Sequence, residues 1–155
     1  MATLLLALSV ASTGLYAGFM LIFRSGIMPA LARLDDAGFV EAMRRINEEV
    51  PGVVFLVVFL GVPAFPAAAL LVPVDGRDGA GTRLILAGLV CAVLNHLVTV
   101  GGNIPLNRAL AGPRTGGDDP AVVRAAFERR WNGFHLVRTL LVLASFGLLT
   151  AAMAV

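Results

Sequence analysis

Four long apolar runs alternate with short polar stretches along the chain. They extend from about Ala2 to Phe23, Val50 to Val74, Leu84 to Gly102 and Phe134 to Val155. Each approaches or exceeds the 20 or so residues that carry a helix across a hydrocarbon core. The pattern predicts an all-α fold: an integral membrane four-helix bundle forming a single domain over residues 1–155. Pro63 and Pro66 fall inside the second run, where they either kink a spanning helix or break it to open a passage.

The polar stretches predict the connections. Between the first two spans, Phe39, Met43, Ile46 and Val50 recur at spacings of four, three and four, one face of a helix. Asp35 and Asp36 supply its N-terminal caps. A short amphipathic helix lying on the membrane surface is expected there, with Glu41, Arg44, Arg45, Glu48 and Glu49 as its solvated face. Residues 75–81, rich in glycine and aspartate, predict a tight turn that makes spans two and three an antiparallel hairpin. Residues 112–117 read as a flexible loop. Asp119-Pro120 then places an N-cap before a proline at the first helical position. From there one helix of about 36 residues runs to the end, with Gly133 as its expected bend.

Composition points the same way. Hydrophobic residues make up 58% of the 155 and charged residues 14%, against about 25% charged in soluble domains. The first run lacks a positive n-region and is too long for an h-region, so it reads as a retained span rather than a signal peptide. All twelve basic residues are arginine. The net charge of +2 gives no case for nucleic acid, and the lipid bilayer is the implied partner. Cys91 is alone, which excludes an intrachain disulfide and reads as packing. Arg24, Arg33, Arg44 and Arg45 precede span two, and Arg108, Arg114, Arg124, Arg129 and Arg130 precede span four, whereas the hairpin turn carries only Arg77 and Arg83. By the positive-inside rule, loops one and three face the cytoplasm and both termini lie outside, as in a bacterial-type inner membrane. The pattern leaves self-association into a homo-oligomer open.

Polar chemistry concentrates at two helix ends. His96, Thr99, Asn103 and Asn107 form one stripe at intervals of three, four and four. Trp131, Asn132, His135, Arg138 and Thr139 form another. Facing each other, the stripes enclose a polar cleft with an aromatic wall, with His96 about 10 Å deeper than Asn103. Asn95 and Thr99 also read as interhelical hydrogen-bonding glue, Arg24 as a residue snorkelling to headgroups, and Trp131 as an interfacial belt residue. Arg138, four residues into an apolar span, needs a partner or a water-filled cavity. Glu48 or Glu49 is expected to pair with Arg138, Arg24 or His135.

At these residues a resemblance emerges. Asn103-Ile104-Pro105-Leu106-Asn107, followed about 30 residues later by Trp131 to Arg138-Thr139, resembles the anthrone oxygenase-like family of small membrane proteins. Met28-Pro29-Ala30-Leu31, followed by Asp35 to Asn47, is similar to that family's first loop. The chain departs from the family pattern at Phe134 and His135, where a tryptophan and an asparagine are usual. The resemblance implies four membrane helices and a cofactor-free oxygenase that acts with dioxygen on a hydrophobic aromatic, anthrone- or polyketide-like small molecule. His135 is then the expected base and Arg138 the group that stabilises the anion. Asn103 and Asn107 orient oxygens, and Trp131 stacks on the ring. Asn132, His96, Arg24, Thr139 and Glu48 complete the expected substrate contacts, with no metal. Two alternatives belong to other classes. One is a redox protein binding haem or copper through His96 and His135. The other is a non-catalytic membrane subunit or small transporter.

Overall fold

The computed structural model describes residues 2–72, 79–112 and 119–155. Its described residues are helical, in the order α1 (Ala2–Ile22), a π segment (Phe23–Ile27), α2 (Met28–Leu31), α3 (Asp36–Glu49), α4 (Val53–Leu71), α5 (Gly79–Val98), a second π segment (Thr99–Asn103), α6 (Ile104–Leu110) and α7 (Pro120–Ala152). Four stretches are long and apolar enough to cross a membrane: Thr3–Leu31, Val53–Leu71, Gly79–Leu110 and Pro120–Ala152. Most of each faces outward, with Val53, Val54, Val57, Leu60 and Leu71 of α4 strongly exposed. The chain is a multi-pass helical membrane protein.

The spanning helices form a four-cornered bundle in which α1 and α5 each pack on both α4 and α7. Small residues bring the backbones together, the usual means of association where lipid removes the hydrophobic drive. A Cβ on Gly88 would meet Leu149 at 2.9 Å, and beside it Ser145 Oγ donates to Gly88 O at 2.8 Å. The α5–α7 seam continues with Asn95 Nδ2 donating to Arg138 O at 2.7 Å. Residue numbers rise on one helix as they fall on the other, so the two are antiparallel.

Pro63 and Pro66 lie within α4, which stays helical through both; the described helix has no break of the kind that lines a transport passage. Pro63 has no N–H for the carbonyl of Phe59, four residues back. His96 Nε2 lies 2.9 Å from that carbonyl oxygen, and its ring stacks on Phe59 at 4.0 Å. The histidine thus satisfies a carbonyl that the proline leaves free.

Asp119 caps α7 as expected, accepting from Ala121 N at 2.9 Å with Pro120 behind it. The helix then runs 33 residues, passing Gly133 without interruption. Asp35 caps α3 by accepting from Gly38 N. The expected turn lies mainly within residues 73–78, outside the described residues, and Gly79 already belongs to α5. Most of the expected loop at 112–117 also falls outside them.

The amphipathic helix exists, but its apolar face does not lie on lipid. Phe39 and Met43 are fully buried against Phe127, Trp131, Leu110 and Met28, so α3 packs on α7 and α6 as a cap over one end of the bundle. Charged groups fasten it. Arg44 Nε donates to Leu110 O at 2.7 Å. Arg124 donates to Ala32 O, Leu34 O and Asp36 Oδ1, pairs with Glu128, and sits 4.5 Å over the Phe39 ring. The protruding part of α7 supplies the apolar surface that the sequence pattern assigned to lipid.

Candidate functional site

Both π segments precede a proline by two residues. In each, an N–H reaches back five residues, Met28 to Phe23 O and Ile104 to Thr99 O. A proline ring collides with the carbonyl four residues back in an α-helix, and a wider turn relieves that conflict at Pro29 and Pro105. Each widened turn advances the chain by one extra residue, which rotates the downstream helix by about 100°. The stripe drawn on helix three at α spacing is therefore split. Asn103 and Asn107 turn toward α7, and His96 turns toward α4.

Under the α3 cap the π segments border a cavity of about 170 Å³. Phe19, Phe23, Phe55 and Phe59 form its apolar walls, and Trp131 lines it from α7. Thr99, Asn103, Asn107, Asn47 and Arg138 contribute the polar lining. Gly102 allows the close approach of the second π segment to α7, since a Cβ there would fall 2.7 Å from the Phe134 ring.

Arg138 is 7% exposed. Its Nε and Nη2 lie 3.1 and 2.9 Å from His135 Nδ1, and its guanidinium carbon is 5.2 Å from the Trp131 ring centre. Because a guanidinium only donates, His135 Nδ1 accepts. The ring proton then sits on Nε2, which donates to Met20 O at 3.0 Å. Trp131 stacks on His135 at 4.8 Å and donates through Nε1 to Asn107 Oδ1 at 2.8 Å. Asn103 Nδ2 donates to Trp131 O at 3.3 Å. His135 thus holds the guanidinium at the edge of an aromatic cavity, beside a tryptophan that two asparagines fix in place. Among the described residues no carboxylate pairs with it.

Among the described residues, the Tyr16 hydroxyl, Asn47 Nδ2, Asn95 Oδ1, Asn103 Oδ1 and Asn132 Oδ1 are buried without a hydrogen bond of good geometry; of these residues Asn47 and Asn103 line the cavity. Tyr16, 1% exposed, sits where Arg138 and Thr99 are its polar neighbours. Unpaired buried polar groups cost about 1–3 kcal/mol each.

The structure therefore brings together Arg138, Asn103, Asn107 and Trp131 of the expected set and corrects the rest. His135 is fully buried and does not line the cavity, and both its nitrogens are engaged, so it has no free lone pair for substrate. His96 is taken up by Phe59 O and by Ala92 O, 2.9 Å from its Nδ1. Thr139 donates back to His135 O within its own helix. Asn132 lies off the cavity, and Arg24 is exposed. Glu48 and Glu49 are also exposed and form no ion pair among the described residues, because Asn47, not its acidic neighbours, turns inward. The expected counter-charge for Arg138 is absent from α3. In this arrangement the ring nitrogens of His96 and His135 face Ala92 O, Phe59 O, Met20 O and the Arg138 guanidinium. No group of three or more His, Cys, Asp or Glu suited to a metal occurs among the described residues.

The sequence pattern left Tyr16 and Asn47 unmarked. Tyr16 is the only tyrosine and lies mid-span, where a hydroxyl must find a partner. Asn47 lies one turn beyond Met43, on the face that the periodicity had already marked as inward.

No curated protein and no solved structure matches the chain. The sequence model described as Anthrone oxygenase matches residues 39–148, from α3 through most of α7 and across the cavity's polar lining. With the greater part of the chain matched and the shared segment building the cavity, this protein belongs to the anthrone oxygenase family.

Proposed function

We propose that the protein is a membrane-embedded oxygenase that needs no bound cofactor and oxidises a hydrophobic aromatic ketone of the anthrone type with dioxygen. The observation that carries this reading is Arg138: a buried guanidinium, without a carboxylate partner among the described residues, at the edge of an aromatic cavity. Such a group is ready for an anion that the substrate supplies. Ionising the acidic C–H across the central ring from the carbonyl, with water entering from the opening as the proton acceptor, puts negative charge through the conjugated rings on the ketone oxygen, where Arg138 stabilises it. The carbanion gives one electron to dioxygen, and the radical pair closes to a C–O bond. The proton first removed returns to the outer peroxide oxygen. Loss of the second C–H proton with O–O cleavage then leaves a new carbonyl and one water. His135 is assigned to holding the guanidinium, and Trp131 to stacking on the ring.

The arginine distribution supports a cytoplasmic position for this end of the bundle, with both termini on the far side of a bacterial-type inner membrane. The test is oxygen uptake with quinone formation from an anthrone by the purified chain in aerated detergent. Arg138→Gln abolishes turnover on this reading, whereas an Arg138→Gln protein that folds and turns over at the native rate refutes it.

A further inference from the structure

The cavity opens through the wall of the bundle, and α4 fixes what that opening faces. Of the residues that line the cavity, Pro51 and Leu56 are the exposed ones. Helix α4 has 19 residues and rises about 28 Å, no more than the roughly 30 Å of hydrocarbon that a span must cross. The whole of α4 therefore lies among acyl chains. Leu56, three residues beyond the first, sits about 4.5 Å inside that layer and is 44% exposed. Pro51 precedes α4 by two residues, at the membrane surface, beside the exposed Glu48 and Glu49.

His96 joins α5 to α4 through Phe59 O. On the α3 side of that contact the two spans part around the cavity: Phe55 and Leu56 line it from α4, and Thr99, Asn103 and Ile104 from the second π segment and the start of α6. Both borders of this seam are apolar. Val53 and Leu60 share the outward face of Leu56, Val100 follows His96 by four residues, and all three are strongly exposed. We propose that the seam is a lateral portal, through which an apolar aromatic substrate passes from the adjoining bilayer leaflet to Arg138 without crossing water. Water enters at the Pro51 end, so polar and apolar reactants arrive by different ends of one opening. The nature of the substrate rests on the oxygenase reading; the direction of the opening does not.

The test uses the full chain in phosphatidylcholine vesicles. A nitroxide on Leu56→Cys, in a Cys91→Ala background, reports what the seam faces: its collisions with oxygen should exceed those with a water-confined nickel chelate. The reverse order, or shielding from both, overturns the proposal. The ligand probes are 2-methylanthraquinone and octadecyl anthraquinone-2-carboxylate, neither of which reacts with dioxygen; the octadecyl tail stays in the bilayer. Saturable quenching of Trp131, the only tryptophan, reports a ring in the cavity. With the ring inside and the tail in lipid, the two probes should bind within about threefold of each other at equal mole fraction in the membrane. Leu56→Phe should weaken the tailed probe about tenfold relative to the tailless one, and Leu60→Phe should change neither. A tailed probe that binds at least about tenfold more weakly to the native chain, or a Leu56→Phe effect equal on both, overturns the portal. If the label faces lipid and neither probe binds, the oxygenase reading loses its substrate class and the portal stands. If anthrone is oxidised and only the tailless probe binds, the reverse is true.

Discussion

Gly101 and Gly102 are adjacent in the second π segment, yet substituting alanine at each should have opposite effects. At Gly101 an added Cβ meets nothing within 4 Å. The intrinsic advantage of alanine over glycine in a helix then stabilises by up to about 1 kcal/mol. At Gly102 the same Cβ lands 2.7, 2.7 and 2.9 Å from three Phe134 ring atoms. Ordinary contact begins near 3.4 Å, so the ring must retreat by about 0.7 Å, and overpacking of this kind costs about 1–3 kcal/mol. The intrinsic term is common to both variants, so their difference isolates the clash at about 1–3 kcal/mol. Reversible unfolding by SDS in mixed micelles, followed by far-UV circular dichroism, measures it. Gly102→Ala should also weaken ligand binding, because the displaced turn carries Asn103. Adding Phe134→Leu should recover most of the stability. Equal stability of the two alanine variants, or no recovery in the double variant, refutes the claim that Gly102 sets the approach of this segment to α7.

Further consequences can be measured in the same way. His96→Phe should cost about 1 kcal/mol in the native background and much less with Pro63→Ala, which restores an N–H to the Phe59 carbonyl; a double-mutant cycle without coupling rejects the plug. Arg124→Ala should loosen α3 by about 1–3 kcal/mol through lost charged hydrogen bonds, seen as faster proteolysis between α2 and α3. Glu48→Gln and Glu49→Gln should leave stability within about 0.5 kcal/mol and binding unchanged, since both carboxylates are exposed.

The spans, the caps at Asp35 and Asp119 and the inward face of α3 were legible because each is a local pattern: length, a capping residue before a helix, a period near 3.6. What α3 packs against was not legible, since its apolar face looks the same whether lipid or the projecting turns of α7 cover it. The candidate site was half legible. Arg138, Asn103, Asn107 and Trp131 were found by spacing. His96 was misplaced because spacing assumed unbroken α geometry across Thr99–Asn103. Gly26 and Gly102, each three residues before a proline, were the available signal for the two π turns. His135 was placed on the right helix and near the right partner, but its role depended on which nitrogens were already engaged, and sequence does not carry that.

The departures from regular structure are concentrated at one end of the bundle. Away from the cavity, the helices meet through glycines, serines and apolar side chains, as at Gly88, Ser145 and Leu149. Around the cavity stand two π segments, a guanidinium without a carboxylate partner among the described residues, and the unpartnered Asn47 and Asn103 atoms, whereas those of Tyr16, Asn95 and Asn132 lie behind its lining. Inside a bilayer water does not soften such costs, and a chain selected only to span the membrane would remove them with leucine at little expense. Their joint presence where Phe23 opens one π turn and Asn103 closes the other fits a site built for a ligand. The widened turns aim an aromatic ring and an amide at α7.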